Sequence, residues 1–347
     1  MSYVAVKGGA DAIRASRSLY KEMINGKFVS RDAEHGNHLF ALDRIMGEGA
    51  LYSEKLAMEA LRKTGCDLLE AAFYLRAHRS TCQRIGNCEI LRAEDIKVIR
   101  RISSAFKDIP GGQLLGPSSD YLVKLFTDHP EKTGDAQAAG RIPEQMDSGL
   151  APLRQAGKIL QLNNEETTPF DVTRATPMPP YPRSAIMQVM ARGETGAMLA
   201  FAYTSMRGYG DVHPTIGDLR IGMIDVTYPH PFTGKPVRVG TIRVTAVESV
   251  GSFKKDPVDG KLRLATGFGF CFGFNETKAI AMSILDLALT WPHYSIGAGG
   301  PATSPEMIIH HVDGIESMGF TNHFKLPHYV TFQADLKVFQ AAEENHD

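Results

Sequence analysis

The sequence predicts an α+β protein, a helical N-terminal region followed by an antiparallel sheet with flanking helices. Three observations predict it. From His38 to about Arg84, apolar residues recur at three and four spacing, in "LFALDRIM", "LAMEALRK" and "LLEAAFYLRAHRSTCQRI", which is the period of amphipathic helices. Further on the period changes, and "IGMIDVTY" and "VRVGTIRVTAVESV" are strand-like around the turn "YPHPFTGKP". Finally, "LATGFGFCFGF" alternates residue by residue. Phe268, Phe270, Phe272 and Phe274 share one face, expected to be an aromatic core wall; Gly267, Gly269, Cys271 and Gly273 share the other, open to close approach by another element.

In chain order, "YVAV" reads as a short strand and "KGG" as a turn into the helix "ADAIRASRSLYKEMI". Gly49 and Gly65 are expected helix ends. "IPGGQLLGP" is an irregular loop, and "DHPEKTGDAQAAGRIPEQ" is polar and small, as in a surface insertion. "TRATPMPPYPRS" is a proline-rich connection, and two helices divided near Gly193 follow. "RGYGDVHPTIGDLR" is expected as a polar loop ahead of the strands. After them, Asn275 caps one helix, Ser304 and Pro305 open "EMIIHHVDGIESMG", which Gly319 ends, and "TFQADLKVFQAAEE" closes the chain as an amphipathic helix. The expected division is 1–127 mainly helical, 128–183 linker or insertion, and 184–347 an α+β domain.

With 347 residues the chain can bury a large core. Apolar residues at 43% and charged ones at 22% are ordinary for a globular protein, and a net charge of −1 argues against a broad electrostatic grip on nucleic acid. No window reaches the length of a membrane span, and the start carries no signal-peptide pattern. Four cysteines without a CxxC pair point to a reducing cytoplasm, with no iron–sulfur cluster held by this chain. There is no P-loop, no GxSxG elbow and no HExxH.

Two polar loops, "KDIPGGQ" (Lys107 to Gln113) and "RGYGDVHP" (Arg207 to Pro214), are candidate anion sites. A forked guanidinium, a lysine and free glycine amides match phosphate oxygens, and so would the amides of Gly8 and Gly9 beside Lys7; on the residues alone each reads more readily as a structural turn. His323 and His328 are candidate metal ligands with an awkward spacing. Five positions on a helix separate two rings by about 140°, and an odd step on a strand sends them to opposite faces. They converge only if the chain bends between them, for which Pro327 is the candidate.

"YVAVKGG", "RRISSAFKDIPGGQLLGP", "AYTSMRGYGDVHP" and "HFKLPHYVTFQADL" occur in that order across the chain. Together they resemble the I subunit (PhnI) family of the bacterial carbon–phosphorus lyase core complex. The resemblance implies a phosphonate-degrading enzyme, a transferase that displaces adenine from ATP with an alkylphosphonate to give a ribose 1-alkylphosphonate 5-triphosphate. Alone, such a subunit acts as a purine nucleosidase on nucleoside triphosphates. The implied partners are the other core subunits, among them a radical S-adenosylmethionine iron–sulfur subunit. The resemblance also implies a zinc ion shared with that partner and held here by His323 and His328. Thr331 stands where the family pattern leads one to expect an acidic residue.

Cleaving an N-glycosidic bond puts positive charge on the sugar and negative charge on the leaving base, so the site needs a proton donor, a stabiliser near C1 and cations on the triphosphate. Lys7, Lys107, Arg207 and Tyr209 are the candidates for the anions; Asp108, Asp211 and Glu48 are those for acid or stabiliser. The rival expectation is a non-catalytic scaffold supplying an interface and two zinc ligands.

Overall fold

The computed structural model describes residues 9–24, 38–120, 146–162, 168–206, 214–292, 300–326 and 329–344. Eleven helices and one four-stranded sheet are present among them. In chain order these are α1 (Gly9–Ile24), α2 (Leu39–Gly49), α3 (Glu54–Lys63), α4 (Leu68–Thr81), β1 (Lys97–Ile102), α5 (Ala151–Gln155), α6 (Arg183–Arg192) and α7 (Thr195–Thr204). Then come β2 (Thr215–Pro229), β3 (Pro236–Lys255), β4 (Leu262–Phe272), α8 (Glu276–Thr290), α9 (Pro305–His311), α10 (Gly314–Phe324) and α11 (Tyr329–Glu344). The sheet is antiparallel throughout, in the order β1-β2-β3-β4, as the α+β reading requires. The "YVAV" strand and the whole of the 128–145 insertion lie outside the described residues.

The helical stretch from residue 38 divides where its polar residues cap. The Ser53 side chain accepts from Leu56 N and starts α3; Asp67 accepts from Leu69 N and Glu70 N and starts α4. Leu42, Ile45, Met46, Leu61, Ala71 and Leu75 interlock between these helices, and Ile315 of α10 closes the cluster. The caps at Asn275 and Ser304 form as expected. Gly319 does not end a helix. The run breaks earlier, at Val312–Asp313, because the Asp313 side chain accepts from Glu316 N and starts α10, which continues through Gly319 to Phe324.

The glycine face of β4 is the buried one, covered by this chain's own α8. A Cβ at Gly267 would lie 1.9 Å from Ser283 O, and one at Gly269 2.2 Å from Ala279 O. Backbone thus meets backbone, and Ser249 Oγ donates to Ser283 O at 2.9 Å. The face needs no partner chain. Phe268, Phe270 and Phe272 are only half-buried, so the expected aromatic wall is the less enclosed side. Cys271, in the glycine row, is buried, and burial pushes its thiol up to about 12. A thiol reagent at about pH 8 will therefore modify the exposed Cys66, Cys82 and Cys88 of the native protein and reach Cys271 only after denaturation. Four fast-reacting thiols in the native state would show that the α8 contact opens.

Two strand segments carry charges that disguise them. "KVIRRI" is β1, and "TIGDLR", expected as loop, is the start of β2. Arg101 and Arg220 are cross-strand partners on one face, with Asp218 beside them. Arg101 Nε and Nη2 each donate to the Asp218 carboxylate at 3.0 Å, and Asp218 also accepts from Gly149 N at 2.8 Å. Arg100 points to the opposite face, towards Glu276 of α8. Because β1 comes from the N-terminal region, the sheet ties that region to the later strands.

Candidate functional site

The "KDIPGGQ" loop is built on these buried arginines. Pro110 and Gly111 are the central residues of a turn closed by Gly112 N to Ile109 O at 2.9 Å, and Gly111 has φ 80°, the type II geometry that a proline–glycine pair favours. From below, Arg101 Nη1 donates to Pro110 O at 2.6 Å. Gln113 closes the loop base: its Oε1 accepts from Ser103 N, and its Nε2 donates to Phe106 O and Lys107 O. The backbone returns as Leu114 pairs with Arg101, and Arg100 Nη1 reaches Leu115 O.

This leaves a rigid turn with an open rim. Lys107 and Asp108 are exposed on it. The amides of Gly111 and Gln113 have no hydrogen-bond partner among the described residues, and no atom lies within 4 Å of a Cβ built on Gly112. A cation, two free amides and an uncluttered backbone can receive an anionic oxygen.

The start of β2, which follows the second motif in the chain, lies beside the first loop. Ser104 N and Ala105 N both donate to Ile216 O, and Ile216 N donates to Ser104 Oγ at 3.0 Å. The first residues of β2 are thus tied to the start of the Lys107 loop. Lys7, Arg207, Tyr209, Asp211 and His328 themselves lie outside the described residues.

A small cavity of about 60 Å³ adjoins the far end of the loop, lined by Tyr20, Phe40, Arg100, Asp120 and Glu276 among others. Arg100 donates to Glu276 Oε1 at 2.9 Å and to Asp120 Oδ2 at 2.6 Å. Burial raises the Glu276 carboxyl above the usual range, and Arg100 opposes the rise. This volume holds water rather than a purine ring.

Glu48 sits apart from the loop, enclosed between α2, α4 and α7. Its Oε1 accepts from Arg44 Nε (2.9 Å), Thr195 N (2.9 Å) and Thr195 Oγ1 (2.7 Å). Its other oxygen, and the amine of buried Lys278, have no hydrogen-bond partner among the described residues. Desolvation lowers the Lys278 amine, and the charge of Glu48 opposes that. The arrangement orders helix ends, with no route from Glu48 to the Lys107 rim in its own bonds.

His323 is exposed in the last turn of α10. The helix bearing it stops at Phe324 and the next starts at Tyr329. Among the described residues, no group of three His, Cys, Asp or Glu side chains could hold a metal. One exposed imidazole fits half of a site whose other ligands come from elsewhere. Thr331 lies exposed on α11.

The signals that sequence reading missed are the buried charges Arg100, Arg101, Asp218 and Lys278. Composition does not distinguish a paired, buried arginine from a solvated one.

Fold and loop define an α+β protein whose sheet edge carries an exposed, internally hydrogen-bonded proline–glycine turn. The model of the family described as bacterial phosphonate metabolism protein (PhnI) matches residues 2–346, and the chain belongs to that family. It is 42% identical to a putative C-P lyase subunit protein, HtxH, of Stutzerimonas stutzeri, covering 99% of this chain and 96% of that one. It is 38% identical to the alpha-D-ribose 1-methylphosphonate 5-triphosphate synthase subunit PhnI of Escherichia coli K12, over 99% of each chain. The protein of the same name from Rhizobium meliloti is 37% identical, over 99% of this chain and 96% of its own. No described helix is long and apolar enough to cross a membrane.

Proposed function

We propose that the chain is a subunit of a phosphonate-degrading complex in which an alkylphosphonate displaces adenine from ATP, giving ribose 1-alkylphosphonate 5-triphosphate. The carrying observation is the match over nearly the whole chain to a family whose relatives bear the name of that synthase subunit. The C1–N9 bond breaks, a phosphonate oxygen bonds to C1, and adenine departs with a proton. Without phosphonate, water takes its place and the subunit is a purine nucleosidase.

The loop geometry supports a division of labour. Lys107 and the free amides of Gly111 and Gln113 face phosphate or phosphonate oxygens, with Arg207 and Lys7 adding positive charge and Tyr209 a hydroxyl donor. Asp108, exposed beside Lys107, and Asp211 are the accessible carboxylates; Glu48, enclosed by three donors, orders the helices instead. Lys107→Ala should raise KM for ATP about tenfold with little change in kcat, since it removes a charge-assisted contact made in ground and transition states alike. Steady-state adenine release measures it, and an unchanged KM removes Lys107 from the site.

His323 and His328 would hold one face of a zinc ion shared with the iron–sulfur subunit. Zinc there would polarise an oxygen as a Lewis acid. His323→Ala should abolish zinc in the assembled complex, by metal analysis, and spare nucleosidase activity of the isolated chain. Loss of both together would merge the two sites.

The scaffold reading is favoured by α11. Its described side chains from Val330 to Glu344 are all exposed, Phe332, Leu336, Val338 and Phe339 among them. Sustained adenine release from ATP by the purified chain supports the enzyme; release that never exceeds one equivalent supports the scaffold.

A further inference from the structure

The side chain of Arg101 is wholly buried, yet it lies directly under the exposed turn of the Lys107 loop. Its guanidinium is fixed by a two-point ion pair. Nε and Nη2 donate to the Asp218 carboxylate at 3.0 Å each, and Nη2 also reaches Asp147 O at 2.7 Å. That leaves Nη1 aimed at Pro110 O, 2.6 Å away. A Cβ built on Gly111 would lie 3.1 Å from the same nitrogen, so the turn rests on the guanidinium itself. A trans peptide is planar, and its C=O and N–H point in opposite directions. Drawing Pro110 O inward therefore turns Gly111 N outward, to the exposed rim, where it has no partner among the described residues. Type I and type II turns differ chiefly by a flip of this central peptide, with the third residue at φ about −90° in one and about +80° in the other. Proline and glycine favour type II but fit type I as well, because glycine accepts either sign of φ. They do not by themselves hold the peptide in one orientation.

We propose that Arg101 is a positioning residue for the reaction: its bond to Pro110 O locks the central peptide of the turn so that Gly111 N–H faces a phosphate or phosphonate oxygen. The inference rests on reading the Lys107 loop as the site of those oxygens. A buried ion pair is a poor source of stability, since apolar residues of similar volume do as well or better. Here the pair stands where its fork meets three segments: Asp218 on β2, Asp147 O ahead of α5, and Pro110 O of the loop. No apolar side chain would draw a carbonyl inward, and a lysine, a point charge without the fork, would follow Asp218. The stem of the loop does not depend on this side chain. Gln113 bonds to Ser103 N, Phe106 O and Lys107 O, and the Leu114 backbone pairs with that of Arg101. Loss of the guanidinium thus frees the peptide and leaves the loop closed.

The test uses Arg101→Met combined with Asp218→Asn in the full chain, which removes both buried charges and keeps an acceptor for Gly149 N. A crystal structure of this variant should show Pro110 O turned outward and Gly111 at negative φ. Steady-state adenine release should show KM for ATP raised about tenfold, the effect of one charge-assisted hydrogen bond, with kcat little changed. A merely structural role would instead lower the thermal midpoint and the active fraction and leave KM unmoved. Should the double variant fail to fold, Arg101→Lys, which keeps a charge beside Asp218, decides by the same readings. The proposal is overturned by a turn that keeps Pro110 O inward and Gly111 at positive φ, or by an unchanged KM where Lys107→Ala raises it. If Lys107→Ala also leaves KM unchanged, or the chain releases no adenine, the reading of the loop falls, and the orientation of the peptide still decides whether Arg101 sets it.

Discussion

Gly267→Val will yield no folded protein, and Gly267→Ala will be destabilised by more than about 4 kcal/mol, beyond the range of ordinary substitutions. A single carbon at this position would sit 1.9 Å from Ser283 O, 2.6 Å from Leu287 N and 2.7 Å from Leu287 Cβ. Two of these neighbours are backbone atoms of α8, so no rotamer change relieves the clash. The helix must lift off the sheet, breaking the bond from Ser249 Oγ to Ser283 O and uncovering Ala279 and Leu287. Folded domains have about 5–15 kcal/mol in hand, so the alanine variant stands at the edge of that margin and valine beyond it. Soluble yield and urea unfolding measure the effect. An alanine variant with an unchanged midpoint would mean that α8 is free to shift at little cost.

Asp43→Ala should cost about 3–5 kcal/mol, because it leaves a buried guanidinium with most of its compensation gone. Arg243 Nε and Nη2 donate to Asp43 Oδ1 at 2.9 and 2.6 Å, and Asp43 Oδ2 accepts from Phe274 N at 2.8 Å. Both side chains are at most 1% exposed, and Asp43 holds Arg243 protonated. Glu54 remains as a second, more exposed partner, which keeps the loss finite. The double variant Asp43→Leu with Arg243→Met removes both charges and should recover part of the loss, since an apolar replacement leaves no orphan. Urea midpoints of the single and double variants decide. A double variant worse than the sum of the singles would show that the pair contributes shape rather than charge compensation.

Much of the fold was legible because it is decided locally. The periodicity of "LAMEALRK" and the alternation of "LATGFGFCFGF" mark their elements, and caps at Asn275 and Ser304 act within three residues. The loop "KDIPGGQ" was legible as well, since a proline–glycine pair selects its turn. β1 and the start of β2 were not legible. Arg100, Arg101, Asp218 and Arg220 read as solvated residues until each is given its cross-strand or cross-layer partner. Gly319 misled for a related reason: a nearby aspartate outweighed the glycine in setting the helix boundary.

The sequence by itself determined the α+β class, the proline–glycine loop at Lys107 and, through four ordered motifs, the family. Only the tertiary structure decided which glycine face is buried and by what, which charges are interior, and that the start of β2 lies against the Lys107 loop. Helix and strand periods, caps and tight turns depend on residues a few positions apart, and a linear reading sees them. Pairing Arg101 with Asp218, Asp43 with Arg243, or Arg76 with Asp313 joins residues more than a hundred positions apart. Such contacts follow from how the layers close, and no local pattern carries them.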